Sequence, residues 1–223
     1  MARKAAAPNT AAELIPPQPT LRTLQASAAG CRACDLWKRG TQTVFGEGSE
    51  HARVIFVGEQ PGDKEDLAGK PFVGPAGLLL DKALAAAGIA RDEIYVTNIV
   101  KHFKWEPRGK RRIHKKPNAM EIAACRPWFE AEIAVTQPRV VVLLGATAAQ
   151  AVLGKDFKVT QHRGELIPST LAPYVMATVH PSSILRAPDD DARHAEMARF
   201  IDDMKRIAAV IHGQRVPNKR RAA

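Results

Sequence analysis

The chain has 223 residues, 45% of them hydrophobic, which suits one packed domain and argues against wholesale disorder. No apolar run approaches the roughly 18–20 residues that span a bilayer, and the N-terminus lacks the continuous apolar segment of a secretory signal. The three cysteines are too few for a disulfide framework, so the expected location is the cytoplasm. Lys and Arg exceed Asp and Glu by 33 − 23 = 10, a balance suited to a polyanionic partner.

Residues 1–19 are rich in Ala and Pro and read as a disordered tail. A short helix is expected over residues 20–30, followed by Cys31-Arg32-Ala33-Cys34. Residues 53–58 form a short apolar, β-branched run ended by Gly58, the pattern of a buried strand. A Gly- and Pro-rich loop over residues 59–77 leads into a helix over about residues 75–87, with Gly88 as its stop. Residues 94–98 are a second strand. Residues 101–116 carry Lys101, Lys104, Arg108, Lys110, Arg111, Arg112, Lys115 and Lys116 against the single acid Glu106. Phe103 and Trp105 are interleaved, so the stretch reads as a phosphate-facing loop. Pro117 and Asn118 open a helix reaching about Val135. Residues 140–144 are a third strand, with a helix over 146–153. An edge strand is expected at 165–167 and a fourth core strand over 174–179, leading into His180-Pro181-Ser182-Ser183. A last helix covers about residues 190–212. The expected domain is therefore residues 20–212, with a loose basic tail over 213–223.

Strands alternate with helices, and the strands are continuously apolar. This predicts an α/β fold with a mainly parallel sheet covered by helices on both faces. Ligands in such folds sit outside the carboxyl ends of the strands. Three polar segments lie at those ends: Glu59-Gln60-Pro61-Gly62, Asn98 and His180. They are expected to converge on one crevice.

The segment Gly58–Asp63 fits neither G-x-G-x-x-G nor G-x-x-x-x-G-K-[ST], which argues against a nucleotide cofactor. The longer string GEQPGDKEDLAGKPFVGPAG, starting at Gly58, resembles the first motif of the family 4 and UdgX branches of the uracil-DNA glycosylase superfamily. His180-Pro181-Ser182-Ser183-Ile184-Leu185-Arg186 resembles that superfamily's second motif. The resemblance covers about residues 25–212 and implies a three-layer α/β/α fold around a short parallel sheet. Its implied substrate is uracil-containing DNA, single- or double-stranded, bound by a nucleoid-associated monomer.

The resemblance implies a role for each motif residue. The flipped uracil would stack on Phe72, and Asn98 would read its edge, because an amide offers both donor and acceptor. His180, with backbone N–H groups, would stabilise the departing uracil anion. Glu59 would stabilise a cationic sugar, as carboxylates do in glycoside hydrolysis. Gln60 and Asp63 would line the same loop. Lys110, Arg111, Arg112, Ser182, Ser183 and Arg186 would meet DNA, with Leu185 or Arg186 filling the vacated space. Lys110-Arg111-Arg112-Ile113-His114 is similar to the loop by which UdgX proteins bond covalently to DNA, which would make His114 a nucleophile toward C1′. A solvated histidine in a conventional, multiple-turnover enzyme is one alternative, and a non-catalytic DNA-damage-binding module is another.

Cys31-x-x-Cys34 with distant Cys125 supplies three thiols, a spacing that suits zinc or an iron–sulfur cluster. The resemblance selects a [4Fe–4S] cluster. Family 4 enzymes use four cysteines, one of them after the second strand; this chain has His102 there, which is the expected fourth ligand.

Overall fold

Short apolar runs make the centre of the molecule, because a strand buried on both faces carries no polar side. The computed structural model describes residues 10–214. Its strands are β1 (Glu47–Gly48), β2 (Val54–Gly58), β3 (Ile94–Asn98), β4 (Trp105–Arg108), β5 (Arg111–His114), β6 (Val140–Leu144), β7 (Leu166–Ile167) and β8 (Tyr174–Thr178). Its helices are α1 (Leu21–Ala28), α2 (Asp63–Ala68), α3 (Pro75–Ala86), α4 (Ala119–Thr136), α5 (Ala146–Leu153), α6 (Val159–His162), α7 (Pro181–Leu185) and α8 (Asp190–Ile211). No helix among the described residues is long and apolar enough to cross a membrane.

Six strands form one sheet in the order β1-β3-β2-β6-β8-β7. The four central strands run parallel, and the two-residue strands β1 and β7 close the edges antiparallel. Alternate residues point to opposite faces. Ile55, Val57, Val141 and Leu143 pack under α1, α4 and α5, with Trp128 and Phe129 of α4. Val54, Phe56, Val140 and Val142 pack under α3 and α8, with Leu80 and Phe200. This is the expected three-layer α/β/α arrangement with a mainly parallel sheet. The connection from β2 leads to β3 on one side, and the connection from β6 leads to β8 on the other. The crevice above the β2–β6 boundary is therefore the topological switch point, where open sheets of this kind bind ligands.

Two expectations are corrected. Residues 10–19 are not a loose tail: Ala11–Leu14 form a 3-10 turn capped by Thr10, and Ala11 is fully buried in the core. Residues 1–9 and 215–223 lie outside the described residues, so the expected looseness of both extremes concerns segments beyond the structure. The basic loop is a β-hairpin, with Trp105 opposite His114 and Arg108 opposite Arg111 across a turn at Gly109. Lys101 is not part of its surface, being 1% exposed.

Candidate active site

The carboxyl ends of β2, β3, β6 and β8 open into a cavity of about 750 Å³, within the range of small-molecule sites. Glu59, Asn98 and His180 line it together, as the strand order predicts. Phe72, His114, Ser182, Ser183 and Arg186 also reach it. The lining groups that went unread in the sequence include Gly145-Ala146-Thr147, Glu65 and the α6 residues Val159 and Thr160. Gly145-Ala146-Thr147 follows β6 at the switch point, a position that the strand rule alone marks. Glu65 of α2 also reaches the cavity and accepts from the Gly74 N–H at 2.6 Å, which holds the Phe72 loop.

Asn98 is 3% exposed, and no hydrogen bond engages its side-chain amide among the described residues. Its carbonyl oxygen Oδ1 lies where a side chain on Gly58 would stand. A Cβ at Gly58 would come 2.3 Å from Oδ1 and 3.0 Å from Phe72 Cζ, so only glycine leaves the amide and ring in place. Phe72 itself has φ 56°, a left-handed backbone costing a bulky residue about 1–2 kcal/mol. Gly77 permits it, since a Cβ there would fall 1.6 Å from the Phe72 carbonyl oxygen. The Phe72 ring faces the His180 ring at 6.2 Å and 25°.

His180 caps α7. Its Nδ1 accepts from the Ser182 N–H at 3.1 Å and lies 2.8 Å from Ser182 Oγ, so the ring proton sits on Nε2. Burial, with further contributions from Arg186 and His114, lowers its pKa to about 4. The ring is therefore neutral at pH 7 and offers one N–H donor. Ser183 Oγ donates to the His180 carbonyl at 2.8 Å. Both serine hydroxyls are thus engaged around His180 while the two residues line the cavity. Leu185 and Arg186 are exposed at the end of α7, and Arg186 borders the cavity. His114 Nε2 stands 3.3 Å from Glu59 Oε1. That is ion-pair distance without hydrogen-bond alignment, and among the described residues the buried Oε1 has no hydrogen-bond partner.

The hairpin that carries His114 is held by side chains, three of them expected site residues. Gln60 borders the cavity, but its amide accepts from Lys104 N–H at 3.1 Å and donates to the carbonyls of Lys104 at 3.2 Å and Lys115 at 3.0 Å. It ties the base of the hairpin to the loop after β2. Asp63 is not among the lining residues; it binds Arg112 Nε at 2.5 Å. Arg112 also donates to Asp66 Oδ2 at 2.6 Å and packs against Phe103 and Trp105. Asp66 is fully buried. Two carboxylates, the half-exposed Asp63 and the buried Asp66, thus face the Arg112 guanidinium. Trp105 Nε1 donates to the Arg39 carbonyl at 2.9 Å, a further tie. Lys110 and Arg111 are exposed at the hairpin tip, where a phosphate can reach them.

Cys31, Cys34 and Cys125 are brought together between α1 and α4, close enough that Cys31 helps raise the Cys34 thiol and both help raise Cys125. Burial pushes the Cys125 thiol up to about 12 and raises Cys34 as well. Among the described residues no three His, Cys, Asp or Glu groups converge to hold a single ion. A cluster does not require such convergence, since each thiolate binds its own iron. Trp128 Nε1 donates to Cys31 Sγ at 3.4 Å and the Lys101 N–H to Cys125 Sγ at 3.2 Å. His102 is buried, and burial lowers its pKa, which favours the neutral ring. Its Nε2 lies 3.0 Å from Thr43 Oγ1, whose proton goes to the Ala28 carbonyl. His102 Nε2 must then carry the ring proton, which leaves the Nδ1 lone pair as the potential ligand.

Comparison with known proteins agrees with this geometry. Residues 45–205 match the model of the uracil DNA glycosylase superfamily. The type-4 uracil-DNA glycosylase of Thermotoga maritima is 40% identical over 164 residues, covering 73% of this chain and 82% of that protein. Those of Sulfurisphaera tokodaii and Archaeoglobus fulgidus are 34% identical over 181 residues and 36% identical over 172, covering 76% and 71% of this chain and 78% and 79% of the relatives. Matches of this extent, spanning the strand ends that build the cavity, show that the chain belongs to the uracil-DNA glycosylase superfamily, alongside its type-4 members.

Proposed function

We propose that this protein removes uracil from DNA by cleaving the N-glycosidic bond. The observation that carries the reading is the unpartnered Asn98 amide, buried at the floor of a cavity shared with Phe72, His180 and Glu59. The target nucleotide is extruded from a duplex or taken from a single strand, at a cost of a few kcal/mol for unstacking. Exposed Lys110, Arg111 and Arg186 offset it through phosphate contacts. Uracil stacks on Phe72, and the Asn98 amide pairs with its edge; cytosine presents the opposite donor–acceptor pattern. When the bond between the base and C1′ breaks, the electron pair leaves with uracil. His180 Nε2–H stabilises that anion, and the Glu59 carboxylate stabilises the cationic sugar. Water adds to C1′ and gives up a proton, leaving an abasic site. The protein acts as a monomer in the cytoplasm, at the nucleoid.

The type-4 relatives favour this turnover reading. One observation favours a second, the UdgX-like covalent ending: His114 shares the cavity and lies 3.3 Å from Glu59. One ring nitrogen attacks C1′ in place of water, the ring becomes cationic, and loss of the other nitrogen's proton to Glu59 makes the substituted ring a poor leaving group. A denaturing gel after incubation with uracil-containing DNA separates the two. Turnover gives abasic product in excess of protein and no shifted band. Covalent capture gives a heat-stable band, at most one DNA per protein, that disappears in His114→Ala while uracil release persists. No release of uracil in either form sinks the glycosylase reading.

Cys31, Cys34, Cys125 and His102 are the proposed holders of a [4Fe–4S] cluster, and a thiol set with Cys31 and Cys125 buried and Cys34 partly buried fits it. When bound, the cluster supplies a structural crosslink between α1, α4 and the turn after β3. Purified protein is expected to contain iron and sulfide in equal amounts, and Cys125→Ser to lose both together with thermal stability. Zinc without sulfide would overturn the assignment.

A further inference from the structure

Lys101 and Glu132 form an ion pair sealed inside the molecule: their side chains are 1% and 0% exposed, and Nζ lies 2.6 Å from Oε2. The same ammonium donates to Thr97 Oγ1 at 2.6 Å and to the Asn98 carbonyl at 2.9 Å, and it sits 5.2 Å from the centre of the Phe45 ring. Glu132, reaching over from α4, accepts from Tyr95 at 3.0 Å and from Thr97 at 2.9 Å. The main chain of the turn is equally closed. Ile99 and Val100 N–H donate to the carbonyls of Gly58 at 2.9 Å and Glu59 at 3.1 Å. The Lys101 N–H points at Cys125 Sγ, and the Lys101 carbonyl accepts from Val44 at 2.8 Å.

A buried ion pair is a poor stabilising device. Desolvation offsets much of the attraction, and an apolar pair of similar volume is often as stable or more so. Neither Lys101 nor Glu132 lines the cavity. What the ammonium holds is the Asn98 carbonyl. Among the described residues the Asn98 side chain has no hydrogen bond of its own, so its aim depends on where its backbone stands and on the close fit to Gly58 and Phe72. We propose that the Lys101–Glu132 pair is a positioning device for base selection, clamping the Asn98 carbonyl from behind so that the amide meets the base edge in one orientation. Lys101 and Glu132 are positioning residues that act through Asn98. The same turn holds the Glu59 carbonyl and contacts Cys125, so base reader, sugar-facing carboxylate and thiol site share one frame. This inference rests on the reading of Asn98 as the residue that meets the base.

The test uses the full-length protein as purified and oligonucleotides carrying one uracil or one cytosine at the same place. Lys101→Met/Glu132→Leu removes both charges and fills the space with apolar atoms. The expected result is a folded protein with near-wild-type DNA affinity. Its single-turnover uracil release at saturation is expected to fall on the order of ten- to a hundredfold, because small misplacements of a reacting group have effects of that size. The preference for uracil over cytosine is expected to fall with it. Glu132→Gln keeps the size of the side chain, removes the charge and replaces one acceptor oxygen by an amide donor, and is expected to move both quantities the same way; it carries the test if the double variant does not fold. A purely structural role moves the thermal midpoint and leaves base preference alone. Wild-type rate and preference in either folded variant overturn the proposal. Asn98→Ala tells this failure from a deeper one: base preference unchanged in Asn98→Ala removes Asn98 as the reader, whereas preference lost there and kept in the charge-pair variants removes only the clamp.

Discussion

The two walls of the cavity are built on different principles. One wall consists of strand ends. Asn98 follows four buried residues of β3, sits in register with Gly58 of β2, and shares the cavity with His180, two residues past the end of β8. Backbone ladders set those positions, and the parallel sheet is the most buried part of the molecule. The other wall is the hairpin of β4 and β5, which has no place in that sheet. His114 is held there by Gln60, by Arg112 between two carboxylates, and by Trp105 on the Arg39 carbonyl. The first wall inherits precision from the core; the second depends on a few side-chain ties, each removable alone.

The sharpest way to break the first wall is Gly58→Ala. A Cβ there meets the Asn98 amide and the Phe72 ring, so uracil release is expected to fall on the order of a hundredfold. DNA affinity, which relies on phosphate contacts elsewhere, should stay close to wild type. A variant that releases uracil at the normal rate would remove Asn98 and Phe72 from the base pocket.

Arg112→Ala breaks the second wall. Among the described residues it leaves the buried Asp66 carboxylate with only Thr41 as a hydrogen-bonding partner, and removing one member of such a pair is expected to lower stability by about 2–3 kcal/mol, the partial exposure of Arg112 reducing the effect. Chemical denaturation measures it. Uracil release is expected to decline far less than in Gly58→Ala, while any adduct formed through His114 is lost. Equal damage to release and to adduct would mean that the two walls are not independent.

The smallest effect sharpens the comparison within the hairpin. Lys110→Ala and Arg111→Ala are each expected to lower the slope of log affinity against log salt by about 1, the signature of one lost phosphate contact. Arg112→Ala should leave that slope unchanged, since Asp63 and Asp66 already neutralise Arg112. A slope change for Arg112 as large as for Arg111 would restore it to the DNA-binding surface.

The same division explains what was legible beforehand. β3, β6 and α5 were readable to the residue, because continuous apolar runs ending at Asn98, Gly145 and Gly154 declare their own limits. The hairpin was unreadable as strand. Pro107 and dense charge are what strand patterns avoid, and no face of the hairpin alternates toward a core. Residues 10–19 were misread because their composition is that of a tail, while burial of Ala11 against the α4 side of the core is a contact made across the chain.

Sequence by itself determined the layered α/β architecture and the convergence of Glu59, Asn98 and His180, since periodicity sets the strands and strand direction puts their carboxyl ends together. It also carried the motif resemblance that named Phe72 and His114 as members of the same site. Only the tertiary structure decided how charge is distributed. Arg112 and Lys101 look like neighbours in a phosphate-binding stretch. Yet one is drawn inward by Asp63 and Asp66, and the other is sealed against Glu132. Those partners lie 49, 46 and 31 positions away along the chain. Whether a cation faces solvent or a buried carboxylate depends on where the fold brings distant acids, and no local pattern encodes that.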